Sequence, residues 1–230
     1  MDQEKIWDHF QNEGVQSFAQ SRGRQEYLVR RLSADSRVLN IGVGDGSLEL
    51  LAARKKVDIW SLDPSERAIE NLRSRIPRPE AAQVGYAQKI PFPDAHFDCV
   101  VMSEVLEHLN DEILSATLEE VHRVLRAGGR FIGTVPAREN LAASNVVCPC
   151  CGAQFHRWGH QRSFSTDTLT KTLLHQFQTE AVYEHFFIDW ESANWRRKIQ
   201  GLIKQALSWK GIGTYGANRN IYFCVRKKSI

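Results

Sequence analysis

Two groups of side chains in this 230-residue chain have the types and spacing to do chemistry. Glu104, Glu107 and His108 crowd into Ser103-Glu104-Val105-Leu106-Glu107-His108, directly after an apolar run ending at Met102. Two carboxylates and an imidazole this close suit a divalent ion, which could orient a substrate hydroxyl and lower its pKa. Without a metal, His108 is the best general base, because an imidazole titrates near neutrality, and Glu107 would shape the site around it. The metal-free reading is the one preferred here. The second group is Cys148-Pro149-Cys150-Cys151-Gly152, followed by His156 and His160. Cys148-x-x-Cys151 has zinc-knuckle spacing, the glycine permits a tight turn, and His156 and His160 would complete a tetrahedral, structural zinc site. Cys150 could replace Cys151 with poorer geometry, and a reduced, metal-free loop is the alternative. His160 cannot serve both metal schemes, so the two compete.

These groups need elements to hold them. Arg37–Ile41 reads as a buried strand, and Gly42-x-Gly44-x-Gly46 follows it before a helix over Ser47–Ala53. Such a turn lets a ligand approach the backbone and tolerates positive φ. The spacing is not the G-x-G-x-x-G of dinucleotide sites. Further strands are expected at Val57–Leu62, Val84–Ala87, Phe97–Met102 and Arg130–Val135, with helices at Ser65–Arg75 and Leu114–Leu125 between them. The Arg126-Ala127-Gly128-Gly129 stretch should end the last of these helices. Strict alternation argues for a mostly parallel sheet covered on both faces. Beyond Pro136 the pattern breaks; Thr166–Leu174 reads as a helix, Val182–Ile188 and Asn220–Arg226 as strands, and 190–210 as a basic amphipathic helix. Its Trp195, Ile199, Leu202 and Ile203 would either pack on the sheet, the slightly preferred reading, or meet a membrane surface or acceptor.

The glycine turn resembles motif I of the class I S-adenosylmethionine-dependent methyltransferases, of the type 11 kind. Asn40 stands where that family usually carries Asp. Asp63-Pro64 at the end of the second strand, Tyr86-Ala87-Gln88-Lys89-Ile90-Pro91-Phe92, and Phe97 through Leu109 follow the family's later motifs in order. Tyr86 replaces a usual Asp. The resemblance implies a doubly wound, mostly parallel seven-stranded Rossmann-like α/β sheet whose last strand is antiparallel. It also implies that Asn40, Gly42, Gly44 and Gly46 cradle the amino-acid end of S-adenosylmethionine, Asp63 and Pro64 hold its ribose, Ala87 and Gln88 border adenine, and Ser103 and Glu104 line the floor near the methyl group. Glu104, Glu107, His108 and His160 further resemble the metal motif of small-RNA 2′-O-methyltransferases.

Lys and Arg total 30 against 27 Asp and Glu, a net charge of +3 that gives little reason to expect nucleic acid. A small-molecule or glycan hydroxyl is the expected acceptor, with an RNA methyltransferase or an inactive binding module as the alternatives. The polar N-terminus lacks a signal sequence, no run approaches a membrane span, and the cysteines suggest a reducing compartment, so the expected location is cytoplasmic. One domain is expected over 1–230, with a helical cap at 1–34, the Cys/His insertion at 137–164 and a helical insertion at 190–212. Its oligomeric state is left open.

Overall fold

A computed structural model of the chain describes residues 5, 6, 9, 21–187, 195–209 and 219–228. Seven strands make the main sheet: β1 Arg37–Ile41, β2 Asp58–Asp63, β3 Ala82–Val84, β4 Phe97–Ser103, β5 Leu125–Pro136, β8 Phe177–His185 and β9 Asn220–Lys227. A separate hairpin pairs β6, Asn145–Val147, with β7, Gln154–His156. The sheet order is β3-β2-β1-β4-β5-β9-β8. Strands β1 to β5 run parallel, and β9 lies antiparallel between β5 and β8. This is the mostly parallel sheet expected from the alternation, with the seven strands and the antiparallel last strand that the methyltransferase resemblance implies.

The helices are α1 Arg22–Arg30, α2 Ser47–Arg54, α3 Glu66–Arg73, α4 Asp111–Val124, α5 Thr166–Leu174 and α6 Trp195–Trp209. Their starts follow local chemistry. Ser65 Oγ accepts from Ala68 N to open α3, Asn110 Oδ1 from Ile113 N to open α4, and Ser165 with Thr168 forms a capping box before α5. Apolar side chains pack on both faces of the sheet. Leu39, Val100, Met102, Phe131 and Phe223 meet the α4 and α5 side, while Val38, Val101, Ile132 and Cys224 meet the α1 and α2 side.

Several boundaries differ from the sequence expectation. Strand β3 ends at Val84 rather than beginning there: Gly85 N makes the last ladder bond to Asp63 O, and the chain then enters the turn at Tyr86. Strand β5 already starts at Leu125: Gly128 and Gly129 sit inside it, where its register with β4 shifts between Phe97 and Cys99. Strand β8 covers Phe177–His185, five residues earlier than expected at its start. Within the helical cap expected over 1–34, Ser21 and Arg22 open α1, and Gly23 is buried within it. In the rest of that cap, residues 5, 6 and 9 are described and helical, while Trp7, Phe10 and 11–20 lie outside the described residues, as do 188–194 and 210–218 beside α6. On α6 the slightly preferred reading fails for the described side chains: Trp195, Ile199, Leu202 and Ile203 are exposed.

Candidate active site

In open α/β sheets ligands bind beyond the carboxyl ends of the strands, near the point where strand order reverses. Here that point lies between β1 and β4. Beyond β1 the chain passes through Gly42, Gly44 and Gly46, with φ of 88°, 56° and 75°. A Cβ on Gly42 would lie 2.6 Å from Val105 Cγ2. Left-handed backbone costs an L-residue about 1–2 kcal/mol before any clash is counted. Gly42→Ala is therefore expected to keep the fold and weaken S-adenosylhomocysteine binding at least about tenfold, which corresponds to ~1.4 kcal/mol. Calorimetric titration checks this, and unchanged affinity would show that the turn is not a cradle.

Asp63, only 1 % exposed at the end of β2, ties the turn down. Its Oδ2 accepts from Val43 N at 2.8 Å and its Oδ1 from Ser65 N at 2.9 Å. Beneath the turn Asn40 Nδ2 donates to Glu49 Oε1 at 2.7 Å, and Ser61 Oγ donates to the same oxygen at 3.0 Å. Burial pushes the Glu49 carboxyl up to about 7, with the nearby Asp63 charge adding to it against the two hydrogen bonds. Ala87 and Gln88 follow in a half-buried turn closed by Lys89 N on Tyr86 O. Arg123 on α4 holds the rest of that loop, donating to Ile90 O, Phe92 O and Asp94 Oδ1.

Beyond β4, Ser103 Oγ lies 2.9 Å from Thr134 Oγ1 and accepts from Arg24 Nε at 3.0 Å. Glu104 adopts φ 57°, which turns its side chain back over β9. Its Oε2 accepts from Asn220 Nδ2 at 2.8 Å and lies 3.9 Å from Arg24, while Oε1 is buried without a hydrogen-bond partner. Thus Glu104 separates from the pair it neighbours in sequence. Glu107 and His108 lie on the 3-10 turn Leu106–His108 and face the insertion instead. Burial, and then the Glu104 charge, raise the Glu107 carboxyl well above the ordinary range. Burial and the neighbouring His160 and His156 lower His108 to about 3, so it is neutral at physiological pH. It remains able to accept a proton, although as a weak base.

The four zinc ligands read from the sequence do not converge. Among the described residues, the groups whose donor atoms come within 4.8 Å of one another are Glu107 with His108 and His160, and Glu139 with His156 and His160. Neither includes a cysteine. The physical reason is the hairpin: Cys148 and Cys151 form its tip, closed by Gly152 N on Cys148 O and Cys148 N on Ala153 O. His156 sits at the other end of β7, buried and turned toward Glu139. Cys150 and Cys151 are exposed. A cleft of about 260 Å³ lies against the same histidines, lined by Ile6, Gln154, Phe155, Gly159 and Gln161 among others.

Residues 39–133 match the methyltransferase domain family. Over those residues, fewer than half of the chain, the sequence is that of a methyltransferase domain. A Mycobacterium tuberculosis protein named a probable S-adenosylmethionine-dependent methyltransferase is 38% identical over 139 residues, 60% of this chain and 46% of its own. The matched region thus spans about half the length of such curated relatives. An S-adenosylmethionine-dependent methyltransferase structure from Thermotoga maritima superposes with TM-score 0.66 at 24% identity, covering 97% of this chain and 99% of its own. A Burkholderia thailandensis N1-methyltransferase, solved with 1,6-didemethyltoxoflavin and S-adenosylhomocysteine, gives 0.67 at 14% identity, covering 98% and 89%. These two likenesses establish the fold.

Four residues that hold these loops and side chains in place were not singled out from the sequence: Arg24, Glu49, Arg123 and Glu139. Each acts on a partner distant along the chain or hidden in the core. The acidic helix position of Glu49 facing an apolar stripe was the one visible signal.

Proposed function

We propose that this chain transfers a methyl group from S-adenosylmethionine to a hydroxyl of a small molecule or glycan. The observation carrying the cofactor half is the positive-φ glycine turn fastened to Asp63, with acceptors left over around it. Gln25 Oε1 and Glu104 Oε1 are buried and without hydrogen-bond partners near the ends of β1 and β4. Those oxygens fit the ammonium group at the cofactor's amino-acid end, and Arg24 beside Glu104 fits its carboxylate. Asp63, at the end of β2, would meet the ribose hydroxyls. Ala87 and Gln88 would border adenine. The cofactor supplies an activated methyl group. The chain's own contribution is to hold donor and acceptor in line and exclude water, which can account for much of a methyl-transfer acceleration.

The acceptor half rests on the neutral His108 and on the cleft lined by His156 and His160, together with a charge balance that gives no electrostatic footprint for RNA. The outward Trp195, Ile199, Leu202 and Ile203 of α6 support contact with an apolar surface, so an acceptor carried on a lipid suits the reading. Among the described residues no helix is long and apolar enough to cross a membrane.

Calorimetry with S-adenosylhomocysteine, followed by transfer of a labelled methyl group to a panel of phenols, sugars and lipid-linked glycans, tests both halves. Binding with label on a hydroxyl is the expected result. Binding with label only on RNA, falling steeply with salt, would replace the acceptor. A failure to bind the cofactor product would leave a binding module in the methyltransferase fold.

A further inference from the structure

Helix α6, 15 residues from Trp195 to Trp209, turns apolar side chains outward. Trp195, Ile199, Leu202 and Ile203 are 48–67 % exposed. At 3.6 residues per turn these four and the exposed Ala206 fall in one stripe about 100° wide. Gly201, which is buried, lies on the other side of the helix, and α6 meets β8. The stripe therefore faces away from the fold. So much apolar surface gathered in water is unfavourable, and patches of this kind mark interaction sites.

Cations border the stripe on both sides. Around the helix Arg196 sits next to Ile203, and Lys198 next to Leu202 on the opposite border. The Arg196 guanidinium lies 5.3 Å over the Trp195 ring, and Lys198 is half-buried. Long cationic side chains lie this way when their stems cover apolar surface and their heads reach a polar layer. The helix contains no acidic residue, and none follows Glu191 in the sequence. These two features together select the partner. A nucleic acid would pair the cations and leave Trp195 and Ile199 in water, whereas a neutral apolar protein face would cover the stripe and leave the cations unmatched. An anionic bilayer satisfies both. A helix of this length spans about 22 Å, short of a hydrocarbon core of ~30 Å, so it suits lying in the interface rather than crossing it.

We propose that α6 lies in the plane of an anionic lipid surface, with its Trp195–Ile203 stripe at the acyl boundary and Arg196 and Lys198 among the headgroup phosphates. Its place in the fold gives this surface a use. The helix belongs to the connection from His185 to Asn220, two residues paired across β8 and β9. Asn220 is also paired with Pro136 of β5, and its Nδ2 donates to Glu104 Oε2 at 2.8 Å. A bilayer held by α6 is therefore met at the same end of the sheet as the glycine turn. Membrane binding stands on the helix alone; only the delivery of a membrane-borne acceptor to that end rests on the methyltransferase reading.

The test is sedimentation of the full chain with phosphatidylcholine vesicles made with and without phosphatidylglycerol. The parent is expected to sediment with the anionic vesicles and to be released only in part by salt, which screens the cations but not the buried stripe. The Ile199→Ser, Leu202→Ser double variant should lose binding. Arg196→Gln and Lys198→Gln should each weaken it about fivefold, the equivalent of ~1 kcal/mol per cation near an anionic surface. Thermal melts of every variant, with S-adenosylhomocysteine titrations beside them, separate loss of the surface from loss of the fold. A parent that stays in the supernatant, or a double serine variant that sediments like the parent, would overturn the proposal. So would an RNA duplex binding where vesicles do not, or self-association through the stripe that the serine variant removes without any vesicle binding. Vesicle binding by a parent that ignores S-adenosylhomocysteine would keep the membrane surface and sink the methyltransferase reading instead.

Discussion

Asp63→Ala is expected to destabilise the protein by about 2–5 kcal/mol and to reduce S-adenosylhomocysteine binding below detection. The stability part follows from what the carboxylate holds. It accepts from Val43 N in a buried bond and from Ser65 N in a partly buried one. An unsatisfied buried N–H costs about 1–3 kcal/mol, and alanine leaves two of them. For a domain of this size that corresponds to a melting temperature lower by roughly 5–15 °C. Loss of binding follows because the same bond to Val43 N sets the turn between Gly42 and Gly44. Asp63→Asn separates the two effects: one amide oxygen still accepts from one backbone N–H, while the amide nitrogen opposes the other. That variant should recover about half the lost stability and still bind weakly, since a carboxylate is the better acceptor for paired hydroxyls. Thermal melts with matched titrations check both. An alanine variant that melts like the parent would show that the Asp63 bonds do not hold the turn, and full binding would remove it from the ribose site.

The sheet was legible because its strands are buried on both faces, so Val38-Leu39 and Val100-Val101-Met102 appear as unbroken apolar runs. Glycine gave the turn away for an equally local reason. Boundaries failed where the decisive contact is not local. Gly128 and Gly129 look like a helix stop, yet pairing with β4 at Leu125 and Arg130, on either side of them, carries the strand through. In β8, exposed and half-buried residues alternate, so only its pairing with β9 defines where it starts. The cysteine cluster illustrates the limit of spacing as a guide. Cys148-x-x-Cys151 did make the tight turn its spacing demands, but spacing could not reveal that the histidines lie at the far end of the hairpin, facing Glu139 and Glu107. Glu139 itself is an ordinary polar residue in sequence. Its meaning comes from being 2.5 Å from a histidine twenty-one residues later.

Glu49→Gln is expected to stabilise the protein at pH 8 by up to about 3 kcal/mol while leaving it nearly unchanged below about pH 4. In the folded chain burial holds the Glu49 carboxyl at about 7, whereas in the unfolded chain it ionises near the usual value of about 4.3. Below that value both states are protonated and the group contributes no pH dependence. As pH rises from there toward 7, the unfolded state has already released its proton and the folded state has not. The unfolded state therefore binds fewer protons, and stability falls across this window before levelling off above it. A displacement of this size is on the order of 3 kcal/mol against the charged form. Glutamine removes the slope without emptying the space: its oxygen still accepts from Asn40 Nδ2 and Ser61 Oγ, and its amide replaces Oε2, which has no partner in the parent either. Asn40→Asp bears on the same balance from the other side. It would restore the residue usual in the family, but here it exchanges a donor for a second carboxylate against Glu49, and should steepen the fall in stability. Because Asn40 Nδ2 also reaches Gly42 O at 3.3 Å, the change should loosen the glycine turn as well. Urea unfolding of the three proteins at several pH values gives the answer. Parallel curves for parent and Glu49→Gln would mean that Glu49 ionises normally, and that its burial is offset by something other than its proton.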